Sequence, residues 1–153
     1  MNDLNKRLAF LARVIETEIA HLRYTDTKLF AQPLTVEHIN QLQNNPVLSE
    51  QIDAFVSRFS RLQDTLGDKL LPILLHRLGE QTGPMLHNLD KAEKFSWIHS
   101  ADEWLSIRML RNQMVHDYIE DPLILHDALQ TAHNFTATLT TTAKKMSGAI
   151  PKR

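Results

Sequence analysis

"SADEWLSIRMLRNQMVHDYIED", residues 100–121, carries the reading of the chain. Trp104, Ile107, Met114 and Val115 recur at the three- and four-residue spacing of an amphipathic helix. Ser100 with Glu103 three positions on has the form of a capping box, so the helix is expected to start there and to run to about Ile119. Asp121 followed by Pro122 then reads as a new N-cap and first helical position.

On a wheel at about 100° per residue, Trp104, Ile107, Met114, Val115 and Tyr118 fall within about 60° of Arg111. Arg111 is therefore expected to emerge from an apolar face. A guanidinium buried there requires a partner or a water-filled pocket. Leu105, Met109, Asn112 and His116 form a second stripe about 100–160° away. A helix with two apolar stripes has two surfaces to cover, its own bundle and a second copy of the chain. Taken singly, the polar residues have plain structural readings: an ion-paired arginine, a satisfied histidine, a structural amide. Together on one short segment they make a candidate site.

Outward from this segment, helical periodicity continues almost everywhere. Leu4, Leu8, Leu11, Ile15, Ile19 and Leu22 give a helix over about 3–23. Thr35 caps a short helix over 36–44. A long stripe runs Leu48, Ile52, Phe55, Phe59, Leu62, Leu66, Leu70, Leu74, Leu78, with Gly67 and Pro72 placed to kink or split it and a fresh helix able to start near Asp68. "GEQTGPMLHN" is a loop. A short helix follows over 86–94, and the last runs from Pro122 to about Met146. No segment reads as a strand. The expected fold is all-α, an up-and-down bundle of four to five main helices, in one domain over residues 1–146 with a short tail over 147–153.

Composition agrees. The 153 residues suit one domain with its own core, and 42% hydrophobic with 23% charged residues is ordinary globular usage. Four glycines and six prolines leave little room for a loop-rich β fold. The absence of cysteine removes disulfides, thiolate metal sites and cysteine nucleophiles. The N-terminal segment lacks a signal-peptide core and no run is long enough to span a membrane, so a cytoplasmic location is expected. A net charge of −1 argues against a broad basic groove and confines nucleic-acid contact to a local site.

Other chemistries find less support. Eight histidines are present, without an H-E-x-x-H pattern. His126 and His133 lie seven apart, nearly on one face, but without a carboxylate at matching spacing, so a surface or core role, or a place at the cleft entrance, is expected rather than zinc. No phosphate loop and no G-x-S-x-G appears. Lys91, Lys94 and Arg108 offer local positive charge. Trp97 and Trp104 read as core or interface, Trp97 alone being a candidate for base stacking.

The run "RNQMVHDY", containing Arg111, Asn112, His116 and Tyr118, resembles the hallmark of the HEPN superfamily: arginine, four residues, histidine, one residue, tyrosine. The surrounding "LDKAEKFSWIHSADEWLSIRMLRN" resembles the HepT-like branch. The likeness is strong over about residues 85–125, weaker over 48–80 and not evident over 1–45. It implies a helical bundle that dimerises along the motif helix, with the two motifs facing each other across a cleft. It further implies metal-independent RNA cleavage without a cofactor. His116 would act as general base or acid, Arg111 would hold the scissile phosphate, and Asn112 would orient the phosphate or the histidine. Apart from the resemblance, the local positive charge of Arg108 is expected to help RNA docking. In that branch a cognate MNT-type nucleotidyltransferase antitoxin attaches AMP to the tyrosine, here Tyr118, and silences the toxin in a type VII module. The alternative is a non-catalytic helical subunit that binds a nucleotidyltransferase.

Overall fold

The computed structural model describes residues 2–115 and 121–152. His116 and Tyr118, and the expected last turn to Ile119, lie outside the described residues. Every element among the described residues is helical: α1 (Asp3–Leu29), α2 (Val36–Asn40), a 3₁₀ turn (Leu42–Asn44), α3 (Pro46–Asp64), a π-helical segment (Thr65–Leu70), α4 (Leu71–Arg77), α5 (Met85–Lys94), α6 (Ala101–Val115) and α7 (Pro122–Gly148). The all-α expectation holds. No helix among the described residues is long and apolar enough to cross a membrane.

The helix starts follow local chemistry. Asn2, Thr35, Asn45 and Asp121 each cap a helix by accepting a backbone N–H. Thr35 and His38 form a reciprocal box: Thr35 Oγ1 accepts from the His38 N–H at 3.2 Å, and His38 Nδ1 accepts from the Thr35 N–H at 3.1 Å. At α6, Ser100 Oγ accepts from the Glu103 N–H at 3.0 Å. The Ala101 N–H is taken by Glu93 Oε1 at 2.8 Å, which ties α6 to α5. Helix α1 outruns the apolar stripe by almost two turns, because Thr25 and Leu29 continue its buried face. Helix α7 runs past Met146 to Gly148, and Ala149 and Ile150 pack on the core, so the segment after Met146 is not a free tail.

Gly67 and Pro72 do not split the long stripe. Residues 46–77 form one rod whose middle turn is widened, with the Leu71 N–H reaching back five residues to the Leu66 carbonyl. Two causes converge here. Proline 72 lacks an N–H and its ring would crowd the carbonyl four residues before it; a looser turn relieves both. The leucines from Leu62 to Leu78 also recur every four residues. In a 3.6-residue helix each such step overshoots a full turn by about 40°. A wider turn holds more residues per revolution and returns Leu66, Leu70 and Leu74 to the same face, where each is fully buried.

One hydrophobic cluster extends from Leu8 on α1 to Met146 on α7 and takes in residues of every α-helix. Helix α1 lies against α3, and α6 against both α7 and α3. The two histidines of α7 fasten it to the α1–α2 connection. His133 stacks on Phe30 with ring centroids 3.9 Å apart and brings Nδ1 to 2.7 Å from Asp26 Oδ1. His126 brings Nε2 to 3.0 Å from the Leu34 carbonyl. They are structural groups rather than cleft residues. Trp97 is buried and stacked on Phe95, so it offers no free face to a base.

Candidate functional site

Helix α6 keeps its apolar seam for two turns and then changes character. Ala101, Trp104, Ile107 and Met114 are buried. Arg111 occupies the slot between Ile107 and Met114 that a leucine would otherwise fill. The expectation of a buried guanidinium is not met: its side chain is 57% exposed. The reason is the neighbouring rod, which here presents carboxylates to α6. Arg111 Nη1 donates to Asp64 Oδ2 at 2.9 Å. One turn earlier, Arg108 donates from Nη1 and Nη2 to the two oxygens of Asp68, at 2.8 and 3.3 Å. A third tie is buried: Gln63 Nε2 donates to the Trp104 carbonyl at 3.2 Å.

These ties border an open groove of about 640 Å³ between α6 and the rod. Asp53, Ser57, Arg61, Asp64, Asp68 and Lys69 line one side, and Arg111, Met114 and Val115 the other. The rod contributes three carboxylates and two cations, and α6 contributes Arg111, so charge of both signs lines the groove, which suits a locally anionic ligand rather than a long polyanion. Arg111 supplies the planar donor fork that matches a phosphate. Asn112 is exposed beside it. Among the described residues no group of three histidine, aspartate or glutamate side chains is arranged to hold a metal.

Of the expected site residues, Arg111 reaches the groove. Arg108 stands next to it but is bound to Asp68, so it serves as a strut between α6 and the rod before it serves any ligand. Asn112 is exposed on the same last turn, and His116 and Tyr118 lie outside the described residues. The sequence reading did not find Asp64, Asp68, Arg61 or Lys69. Asp64 and Asp68 are one helical turn apart, as are Arg108 and Arg111, and that matched spacing was the available signal.

Glu18 stands behind the groove. It takes a slot in the buried face of α1 between Ile15 and Leu22. Its Oε1 has no hydrogen-bond partner among the described residues. Burial pushes its carboxyl above the usual range, while the Thr65 hydroxyl and the charges of Arg61 and Lys69 pull it partly back and Asp64 adds to the rise. Thr65 also lines the groove, so Glu18 and the groove share a wall.

A smaller hollow of about 450 Å³, lined by Trp97, His99, Thr138 and Lys145 among others, lies between α7 and the α5–α6 connection and takes in none of the expected site residues. No protein-family model, no curated protein and no solved structure matches this chain.

Proposed function

We propose that the protein is a HepT-like HEPN toxin: a metal-independent endoribonuclease whose site is completed by a second copy of the chain. In this reading the motif helices of two copies meet across a cleft. Arg111 binds the scissile phosphate. His116 takes the 2′-hydroxyl proton as the 2′-oxygen attacks phosphorus, or returns a proton to the departing 5′-oxygen. Asn112 orients the phosphate. Tyr118 accepts AMP from a cognate MNT-type nucleotidyltransferase, and that anion both fills the cleft and competes for Arg111.

The observation that carries the reading is the exposure of Arg111 in a groove, two turns beyond a Trp104 that is fully packed. A purely structural arginine at that slot would be enclosed with its partner. Met109, on the second stripe of the same helix, is 69% exposed, which supports a second surface to cover. The Asp64 contact favours a second reading, a non-catalytic helical subunit that binds a nucleotidyltransferase, because there Arg111 needs only an internal carboxylate.

Expression of the chain alone, beside His116→Ala and Arg111→Ala, separates the two. RNA degradation and growth arrest that both substitutions abolish support the nuclease. A harmless chain that co-purifies with its nucleotidyltransferase supports the subunit. Sedimentation of the wild-type chain as a monomer at micromolar concentration removes the composite site.

A further inference from the structure

The two arginine–aspartate pairs on α6 differ in kind. Arg108 engages both oxygens of Asp68 with two nitrogens. Arg111 gives Asp64 a single nitrogen, and among the described residues its Nε and Nη2 meet no other acceptor. An exposed, single-contact ion pair contributes little to stability and is readily displaced. A bidentate fork is harder to replace, because a competitor has to match two donors at once.

Asp64 thus stands where an anionic ligand of Arg111 would stand, with one oxygen at 2.9 Å from Nη1. Arg61 and Lys69 line the same groove from the rod, both exposed, three residues before and five residues after Asp64. Among the described residues Arg61 Nη2 donates to the neutral Ser57 hydroxyl alone, at 3.1 Å. Among the described residues the groove therefore holds two cations with no carboxylate within ion-pair distance, both within electrostatic reach of the buried Glu18, and a third whose carboxylate is loosely held.

We infer that Arg61 and Lys69 continue the anion seat begun at Arg111, and that Asp64 is its built-in occupant, holding the Arg111 end until a phosphodiester displaces it. The inference rests on the reading of Arg111 as a phosphate ligand and adds the residues that extend and gate that contact. The ligand is a short stretch of single-stranded RNA, long enough to place one phosphate on Arg111 and the next ones toward Arg61 and Lys69. Asp64 lowers affinity for any anion, so RNA that does not also reach the other two cations is rejected.

The test uses the full chain and a 2′-O-methylated uridine octamer, which cannot be cleaved through its 2′-oxygen. Asp64→Asn is expected to bind the octamer about tenfold more tightly than wild type, as removal of one competing charge allows. Arg61→Ala with Lys69→Ala is expected to weaken binding by about tenfold and to flatten its salt dependence. Arg111→Ala added to Asp64→Asn is expected to cancel the gain. A second measurement needs no variant: on titrating wild type with inorganic pyrophosphate, the Arg111 side-chain nitrogen resonances should move while those of Arg108 stay. A folded Asp64→Asn protein with unchanged affinity overturns the inference, as does pyrophosphate that moves both arginines alike or neither. Cleavage of ordinary RNA by wild type is a separate readout. An active nuclease whose Asp64→Asn form binds no better sinks the gate and leaves the enzyme; an inactive chain that gains affinity does the reverse.

Discussion

The indole of Trp104 packs closely on Gly67, so that a β-carbon on Gly67 would stand 3.1 Å from Trp104 Nε1 and 3.5 Å from its Cζ2. That contact seats α6 on the rod and sets the height at which Arg108 and Arg111 meet Asp68 and Asp64.

Gly67→Ala tests it. In an open helix the change would stabilise by roughly 0.5–1 kcal/mol. Here Trp104 is 2% exposed, enclosed in the core. The clash outweighs the propensity gain, and a net loss of about 1–2 kcal/mol is expected from overpacking. Urea denaturation read by tryptophan fluorescence measures it, and an alanine protein as stable as wild type would refute the close seat.

Glu18 gives the fold a dependence on pH. Its folded-state carboxyl titrates above the ordinary value of 4.5 because burial disfavours the charged form. Above 4.5 the unfolded chain releases this proton while the folded chain still holds it. Stability therefore falls as pH rises from about 4.5 through the raised value, and levels off beyond it. Glu18→Gln, which keeps the shape without the charge, is expected to remove this descent and to be the more stable protein at neutral pH. Melting temperatures of both proteins from pH 4 to 8 check this, and parallel curves would count against it.

His133 joins α7 to α1 by a stacked ring and a short contact to Asp26. His133→Ala removes both and leaves a partly buried carboxylate without its partner. A loss of about 2 kcal/mol is expected. Since the histidine is remote in sequence and role from Arg111, RNA binding by the folded variant should be unchanged. A loss below about 0.5 kcal/mol, the range of an ordinary surface change, would contradict the clamp.

Local signals were legible in the sequence wherever neighbouring residues decide the outcome. Thr35 with His38, Ser100 before α6, and Asp121 with Pro122 each announce a helix start, and each caps one. The heptad-like spacing of Leu8, Leu11, Ile15 and Leu22 announces the buried face of α1. It does not announce that the intervening Glu18 is buried as well, since a carboxylate in a stripe is enclosed only if another helix covers it. Gly67 and Pro72 marked the right place for an irregularity but not its form, because whether a helix breaks or widens depends on the leucines around it. The site was half legible. Arg108 and Arg111 stood out on α6, while their partners lie 40 and 47 residues away on another helix. Only the crossing of the two helices brings them together, and that crossing is set by the bulk of Trp104 against the bareness of Gly67.

The loosened turn at Thr65–Leu70 makes the rod a phase adjuster. Winding the same residues uniformly, without the widened turn, would swing everything beyond it by about 100°. Leucines 70 and 74 would then leave the core, and the Asp68–Arg108 strut would part from the Asp64–Arg111 contact. A single added amino acid thus sets how the two halves of the longest rod are geared to each other, and with them the alignment of the groove's two rows of charge.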